Sequence, residues 1–314
     1  MSRTIIAAVA QMGPVARDES RVQVVDRLIT LMREAHGRGA NLVVFPELAL
    51  TTFFPRWLLD TQEEIDSYFE TEVPSNETQP LFEVGKDLGV SFHLGYAEKM
   101  TSNGTTHYYN TAILVDEKGE IAGKYRKVHL PGHAEPQPGL PHQHLEKRYF
   151  EVGDLGFPVF RSMDGIMGMC ICNDRRWPET YRVLGLQGVE LVMLGYNTPS
   201  TNPFAKTEAP HLGMFHNHLS MQAGAYQNGT WVLASAKAGI EEGVHHMGGS
   251  CIISPTGEIV ALAATEGDEV ITAECDLERG KYIRETIFNF DAHRRTEHYG
   301  LITERTGAIL PPQK

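Results

Sequence analysis

Long apolar runs are missing from this chain of 314 residues. No stretch approaches the roughly 18 apolar residues that a membrane-spanning helix requires. The first residues, Met-Ser-Arg-Thr-Ile-Ile, also lack the basic segment and apolar core of a secretory signal. We therefore expect a cytoplasmic protein that does not associate with a membrane.

Cysteine is scarce, with four residues at positions 170, 172, 251 and 275. They do not resemble the disulfide framework of a small secreted protein. No Cys or His pair has the spacing of a structural zinc site, and the histidines at 142, 144, 245 and 246 match no recognised ligand pattern. The sequence therefore predicts no disulfide and no bound metal.

Basic residues are outnumbered and are not clustered. The chain has 28 Lys and Arg against 40 Asp and Glu, which gives a formal net charge of -12. Nucleic-acid binding requires a concentrated basic surface, so we expect no nucleic-acid partner. A hydrophobic content of 41% fits a soluble globular core.

Apolar runs alternate with segments of helical periodicity. Strands are predicted at residues 4–10, 41–47, 90–97, 189–194 and 231–236, and helices at about 20–35, 81–88, 178–188 and about 215–228. The apolar face predicted for the first helix consists of Val22, Val25, Leu28, Ile29, Met32 and Ala35. Without a low-complexity linker, this alternation predicts one α/β domain over residues 1–314.

Two predicted hairpins resemble each other. Residues 112–122 and 251–261 each contain an apolar run, a glycine-containing turn and then Glu-Ile. This repetition suggests that the protein has two similar halves. Residues 131–144, rich in proline and histidine, are predicted to form a long loop, a kind of segment that is often functional when ordered.

Cys172 is the first candidate catalytic residue. Apolar residues up to Ile171 predict a buried strand, and Pro178-Glu179 is typical of the first turn of a helix. The thiol therefore lies at the carboxyl end of a strand, where open α/β proteins place their chemistry. Arg175 and Arg176 are close enough in sequence for us to expect a lowered thiol pKa. Cys170 is interpreted as a buried, inert cysteine.

Two further ionisable residues follow strand-like runs in the same way. Glu47 follows Leu-Val-Val-Phe-Pro, and Lys127 follows the first hairpin. Covalent catalysis by cysteine needs a base for the thiol proton, a nucleophile and a cation near the developing oxyanion. Glu47, Cys172 and Lys127 have the chemistry for these three tasks.

Three motifs resemble the signature regions of the nitrilase superfamily, in the expected order. They are Val-Phe-Pro-Glu at 44–47, Tyr-Arg-Lys-Val-His-Leu at 125–130 and Met-Cys-Ile-Cys-Asn-Asp-Arg-Arg-Trp-Pro-Glu at 169–179. Within the superfamily, the chain most resembles N-carbamoyl-D-amino acid amidohydrolases. That closer resemblance depends on residues 48–57, 143–150, 153–158, 289–290 and 298–301.

The resemblance implies a four-layer α-β-β-α sandwich and a homo-oligomer, a dimer or a tetramer. It implies that Glu47, Lys127 and Cys172 form a catalytic triad, that Glu146 is a second glutamate near it, and that no cofactor is required. The expected reaction is hydrolysis of an N-carbamoyl-D-amino acid to the amino acid, ammonia and carbon dioxide. Residues 134–141 and 200–211 depart from the D-carbamoylase pattern and could border the substrate pocket.

Six residues are candidates for substrate binding. Arg175 and Arg176 could each bind a substrate carboxylate through two hydrogen bonds, and Arg176 is favoured. A solvated ion pair with Asp174 or Glu179 is the alternative for these arginines. The remaining candidates are Asn173, Asn197, His129 and His144, for which turn formation or a structural role is the alternative.

Other functions remain open at this point. A related amidase acting on β-ureido acids, carbamoylated amines or simple amides is the nearest alternative. A non-catalytic assembly protein of the same fold is disfavoured by the intact Glu47, Lys127 and Cys172. A metal-dependent hydrolase ranks last, because the histidines form no ligand pattern.

Overall fold

The computed structural model describes residues 3–202 and 208–313. The strands in these ranges are β1 (Thr4–Gln11), β2 (Leu42–Val44), β3 (Ser91–Ser102), β4 (Thr105–Val115), β5 (Ile121–Arg126), β6 (Val159–Ser162), β7 (Gly165–Ile171), β8 (Leu191–Tyr196), β9 (Trp231–Ala236), β10 (Ala238–Glu241), β11 (Val244–Met247), β12 (Cys251–Ile253), β13 (Ile259–Leu262) and β14 (Glu269–Asp276).

The helices are α1 (Arg21–Gly37), α2 (Gln62–Asp66), α3 (Gln79–Leu88), α4 (Glu146–Tyr149), α5 (Pro178–Leu186), α6 (Pro210–Asn228), α7 (Lys281–Glu285), α8 (Phe290–His293) and α9 (Gly300–Glu304). Short 3₁₀ turns occur at Phe54–Arg56, Cys172–Arg176, Leu277–Gly280 and Thr296–His298. None of the helices in the described ranges combines the length and the apolar character needed to cross a bilayer.

Two mixed sheets have equivalent topologies. The strand order of the first is β14-β1-β2-β3-β4-β5, and that of the second is β6-β7-β8-β9-β12-β13. Each has three neighbouring parallel strands, β1-β2-β3 or β7-β8-β9, with antiparallel neighbours on both sides. The similarity of the hairpins β4-β5 and β12-β13 is thus part of a repeated sheet plan, which confirms the two similar halves.

The sheets pack face to face, and helices cover their outer faces. Between the sheets, Val9 and Val44 of the first belong to the same buried cluster as Met193 and Leu233 of the second. A second buried cluster joins α1 and α3 to the outer face of the first sheet, and α5 and α6 pack over the second. The predicted four-layer α-β-β-α sandwich is confirmed.

The first helix illustrates how burial selects among apolar residues. Ser20 caps α1, with its hydroxyl accepting from the Gln23 amide and the Gln23 side chain accepting from the Ser20 amide. The buried residues are Val24, Val25, Leu28, Leu31, Met32 and Ala35, so the predicted face was partly wrong. Val22 is 51% exposed, because successive residues turn about 100° around a helix and position 22 lies outside the buried arc.

Several predicted boundaries also shift. β2 is shorter than residues 41–47, because the chain leaves the sheet before Pro46, while β3 continues past residue 97. The helix predicted at about 215–228 begins at Pro210. Residues 131–144 contain no helix or strand, as predicted for the loop.

Candidate active site

The strand ends bring the candidate catalytic residues together. Lys127 immediately follows β5, Cys172 immediately follows β7, and Asn197 immediately follows β8. Glu47 lies three residues beyond β2. These four residues share a network of contacts, and each is at most 2% exposed. The structure therefore groups the three residues that the sequence selected.

Lys127 lies between two carboxylates. Its Nζ donates to Glu47 Oε1 at 2.7 Å and to Glu146 Oε2 at 2.5 Å, with all three side chains buried. Burial alone would lower the pKa of the Lys127 ammonium, but its electrostatic interactions with Cys172, Glu146 and Glu47 raise it above its ordinary value. Lys127 is therefore a permanently charged group beside the thiol.

Glu146 is held by two partners. Besides the contact with Lys127, its Oε1 lies 2.9 Å from His144 Nε2. Burial would raise the pKa of Glu146, but the Lys127 charge and the His144 hydrogen bond lower it below its ordinary value. Glu146 therefore remains a carboxylate and helps to fix the Lys127 ammonium.

The Glu47 carboxylate is fixed by hydrogen bonds to both oxygens. Asn110 Nδ2 donates to Oε1 at 2.8 Å, and the backbone N–H of Asn197 donates to Oε2 at 2.9 Å. Asn197 Nδ2 also donates to the Glu47 carbonyl at 2.9 Å. The Asn197 side chain therefore holds the Glu47 backbone, and the Asn197 backbone N–H holds the carboxylate.

Asn110 is a site residue that the sequence analysis missed. It lies on β4, which pairs with β5 just before Lys127. Its backbone carbonyl accepts a hydrogen bond from the backbone N–H of Lys127 at 2.8 Å. It is fully buried. A buried asparagine within a strand is a possible signal, but only the pairing register of β4 and β5 shows which charged group it faces.

Two glycines allow the sheets to approach the Glu47 backbone. A Cβ added to Gly195 would lie 2.3 Å from the Glu47 amide nitrogen, and one added to Gly95 would lie 2.6 Å from the Pro46 carbonyl oxygen. Both distances are shorter than van der Waals contact. The segment after β2 is therefore held between β3 and β8, where larger residues would displace it.

Cys172 has an unusual backbone conformation. Its φ is +47°, in the left-handed region that non-glycine residues seldom occupy. Arg175 Nη1 donates to the Cys172 carbonyl at 2.6 Å, and the sulfur lies 3.8 Å from both Arg175 Nη1 and the Asn197 carbonyl oxygen. Such a conformation costs about 1–3 kcal/mol and persists where the surroundings enforce it, often at active sites.

The cavity above Cys172 has a volume of about 430 Å³. Three predicted site residues line it with the thiol, namely Arg176, Asn197 and His144. The other described residues that line it are Pro131, Gly132, His133, Leu140, His142, Thr198, Pro199, Ser200, Thr201, Asn202, Glu208, Gly213, His216, Asn217 and Met247.

Three other candidates for substrate binding are placed elsewhere. Arg175 is buried, where its Nε donates to Asn217 Oδ1 at 2.8 Å and its Nη2 to Thr198 Oγ1 at 2.9 Å. His129 and Asn173 line a separate shallow depression beside Trp177. The structure does not bring these three to the cavity wall, because each is directed toward protein partners.

His129 and Asp174 form one of these alternative contacts. His129 Nδ1 lies 2.8 Å from Asp174 Oδ1, and its ring stacks on Trp177 with a centroid separation of 5.1 Å. Asp174 also accepts from the Tyr125 hydroxyl at 2.7 Å. The Asp174 carboxylate is therefore directed toward His129 and Tyr125 and forms no ion pair with Arg176 in the described ranges.

Comparison with known proteins identifies the family. The family model described as carbon-nitrogen hydrolase matches residues 6–285. The chain belongs to the carbon-nitrogen hydrolase family. It is 33% identical over 272 residues to a nitrilase of Pyrococcus abyssi (86% of this chain, 90% of the relative) and 29% identical over 290 residues to an N-carbamoylputrescine amidase of Arabidopsis thaliana (89% of each).

A solved structure agrees with this assignment. The carbon-nitrogen hydrolase of Helicobacter pylori G27 superimposes with a TM-score of 0.80 at 25% identity and covers 96% of this chain and 99% of that one. The protein is therefore an enzyme of the nitrilase superfamily that hydrolyses the carbon–nitrogen bond of amide-like substrates. In residues 3–202 and 208–313, no cluster of His, Cys, Asp and Glu is arranged to hold a metal ion.

The electrostatics of this hydrolase correct one expectation about Cys172. Burial raises the pKa of the thiol, and the Glu47 carboxylate raises it further, although Lys127 and Arg175 oppose both effects. The expected lowering of the pKa was wrong, because nearby cations do not compensate for desolvation and the adjacent carboxylate. The resting thiol is protonated at neutral pH, so it requires a base.

Proposed function

We propose that this hydrolase cleaves N-carbamoyl-D-amino acids to the D-amino acid, ammonia and carbon dioxide. The observation that carries the proposal is the position of Arg176, a cation on the wall of the cavity that contains Cys172. Its Nη1 donates to a neutral group, Asn173 Oδ1, at 3.2 Å, and no carboxylate in the described ranges pairs with it. A substrate carboxylate would supply the missing anion.

The charge of Arg176 fits this role. Repulsion from Arg175 and limited access of solvent lower its pKa to about 10, so the group is still protonated at neutral pH. A carboxylate that binds two guanidinium nitrogens would relieve this repulsion. The same contact would hold the ureido group beside the Cys172 sulfur.

The first half of the proposed cycle transfers the carbamoyl carbon to sulfur. Glu47 takes the proton from Cys172, and the thiolate attacks the ureido carbon. Lys127 donates a hydrogen bond to the oxyanion of the tetrahedral intermediate, a contribution of about 2.7–4 kcal/mol per donor in well-studied hydrolases. Glu47 then gives its proton to the departing ammonia.

The second half releases the product. A water molecule gives a proton to Glu47 and attacks the thioester-like carbonyl, and the thiolate leaves and regains a proton. The resulting N-carboxy amino acid loses carbon dioxide and becomes the free amino acid. Glu146 is proposed to keep Lys127 in place during both halves, because it contacts Nζ directly. None of these steps requires a cofactor.

A carbamoylated amine is the second candidate substrate. The relative from Arabidopsis thaliana is named an N-carbamoylputrescine amidase, and one carboxylate, Glu208, lines the described part of the cavity. Arg176 favours the amino acid instead, because a cation on the cavity wall would repel an amine that carried no carboxylate. The preference for the D form depends on the sequence resemblance alone.

A substrate panel tests the proposal. Ammonia release would be measured with N-carbamoyl amino acids of both hands, β-ureido acids, N-carbamoylputrescine and simple amides. We expect the N-carbamoyl-D-amino acids to have the highest kcat/KM. The highest rate on a substrate without a carboxylate would contradict the proposal.

The variant Arg176→Lys tests carboxylate recognition. It should lower kcat/KM for carbamoyl amino acids by about tenfold or more, because lysine cannot form the bidentate contact. The control is the same variant on a simple amide, for which the loss should be small. Equal losses on both substrates would leave Arg176 with a structural role.

A further inference from the structure

Most of the residues that line the cavity around Cys172 have polar side chains. Among the described parts of the chain, lining residues come from the loop at 131–144, from residues 197–202, and from Glu208, Gly213, His216 and Asn217. Of the two segments that depart from the D-carbamoylase pattern, 134–141 contributes Leu140 to the cavity lining, and the described part of 200–211 contributes Ser200, Thr201, Asn202 and Glu208. Residues of both departing segments therefore line the same cavity as Arg176.

Glu208 gives the cavity wall a negative charge. It is the only acidic residue among the described residues that line the cavity. Its side chain is 29% exposed, and Oε1 lies 3.2 Å from Nδ1 of His216, which is 55% exposed. Glu208 precedes α6 and Arg176 precedes α5, so opposite charges enter one cavity from two different elements.

The Glu208 carboxylate still needs a further partner despite its contact with His216. A half-exposed carboxylate–imidazole pair is a weak interaction, and the imidazole can turn into solvent at little cost. An apolar side chain placed against Glu208 would remove water from the carboxylate without replacing its hydrogen bonds. A cationic side chain would replace that water with a charge-assisted hydrogen bond.

We infer that Glu208, oriented by His216, binds a cationic group on the substrate side chain. The preferred substrates are then N-carbamoyl amino acids with a basic side chain, of the lysine, ornithine or arginine type. This inference rests on the proposed function and refines it, because Arg176 and Glu208 would bind opposite charges of one substrate. Specificity would come from both the attraction of the cation and the cost of burying Glu208 against an apolar group.

Two substrates of matched shape test the inference. N-carbamoyl-lysine and N-carbamoyl-norleucine share an unbranched four-carbon side chain and differ by the terminal ammonium. The wild-type enzyme should prefer the lysine derivative in kcat/KM by about tenfold or more, the effect expected for a hydrogen bond between charged groups. In Glu208→Gln, kcat/KM should fall for the lysine derivative only, so that the two substrates become nearly equivalent.

Glu266→Gln is the matched control. Glu266 Oε1 lies 3.0 Å from His245 Nε2, which makes a comparable exposed carboxylate–imidazole pair, and neither residue lines the cavity. This variant should leave the preference for the lysine derivative unchanged. A similar fall in Glu266→Gln would show a general charge effect and overturn the assignment to Glu208.

The outcomes separate the inference from the proposed function. If carbamoyl amino acids are hydrolysed but the norleucine derivative is preferred, or if Glu208→Gln leaves the preference unchanged, only the inference is overturned. If neither derivative is hydrolysed while N-carbamoylputrescine or a simple amide is, the proposed function fails, and the inference fails with it.

Discussion

At the scale of single residues, the two neighbouring cysteines have different surroundings. Cys172 lines the cavity near Asn197, whereas Cys170 is fully buried within β7 and does not line the cavity. Burial raises the pKa of both thiols, so neither is a standing thiolate. What distinguishes Cys172 is its position on the cavity wall and the nearby Glu47 carboxylate, the proposed base.

Substitution by alanine should affect activity at Cys172 and stability at Cys170. Cys172→Ala is expected to abolish ammonia release and to leave the circular dichroism spectrum and melting temperature close to those of the wild type. Cys170→Ala should retain activity and lower the free energy of unfolding, because it removes a buried side chain from the core. Retention of a tenth of the wild-type rate in Cys172→Ala would show that the nucleophile is another group.

Because the thiol is protonated, the role of Glu47 as the proposed base can also be tested by substitution. Glu47→Gln removes the proposed base and the negative charge that raises the Cys172 pKa, while it keeps the shape of the side chain. We expect turnover to fall by about 10²-fold or more, the usual contribution of a general base. Alkylation of Cys172 by iodoacetamide should become faster at pH 8. Slower alkylation together with full turnover would assign the base elsewhere.

At the scale of secondary-structure elements, the site depends on close packing at the ends of strands. Gly195 on β8 contacts the backbone that carries Glu47, so a methyl group there would push the base away from the thiol. Gly195→Ala should lose most activity and several degrees of melting temperature. Gly37→Ala at the end of α1 is the control, because a Cβ there has no neighbour within 4 Å.

The control should change stability in the opposite direction. Alanine has a higher helix propensity than glycine, by about 1 kcal/mol in a helix interior and less at an end. Gly37→Ala should therefore be neutral or slightly stabilising, with unchanged kcat. If Gly195→Ala behaved like Gly37→Ala, the packing against Glu47 would have no catalytic importance.

At the scale of the whole molecule, buried thiols should make stability depend on pH. Burial raises the pKa of Cys251 and of Cys275 to about 12, whereas an unfolded cysteine titrates near pH 8.5. The folded state binds more protons between these two values, so each thiol lowers stability as the pH rises through this range. The effect is absent below pH 8.

Urea unfolding at pH 7.5 and pH 10 measures this effect. Each buried thiol should contribute a loss of about 2 kcal/mol at pH 10. Between pH 7.5 and pH 10, the free energy of unfolding of Cys275→Ala should therefore fall by about 2 kcal/mol less than that of the wild type. This difference does not depend on the stability of the variant at pH 7.5. An identical loss in both proteins would show that Cys275 does not titrate at a raised pKa.

Assembly is a further prediction at this scale. The sequence resemblance implies a homo-oligomer, and exposed apolar side chains are present on the helices over the second sheet, among them Leu186, Phe215 and Leu219. Light scattering coupled to size-exclusion chromatography should give a mass of two or four chains of 35.0 kDa. A single mass of 35.0 kDa at micromolar concentration would contradict the prediction.

Local sequence patterns predicted most central strands, the helices α1, α3, α5 and α6 and the candidates for catalysis, but not β6, β10, β11 or β14. Apolar runs identified the strands, and the polar residues that follow them identified Glu47, Lys127 and Cys172, because α/β proteins place their chemistry beyond the carboxyl ends of strands. Such signals are local, so they can be read without knowledge of the fold. The resemblance added Glu146 and the sandwich architecture.

Only the tertiary structure decided where the neighbouring side chains are directed. Arg175 and Arg176 are adjacent in sequence, yet distant Thr198 and Asn217 hold Arg175 in the interior and leave Arg176 at the cavity. Asn110 became recognisable through its strand register, and the pKa of Cys172 through its burial. These properties depend on partners far along the chain, whose positions no local pattern specifies.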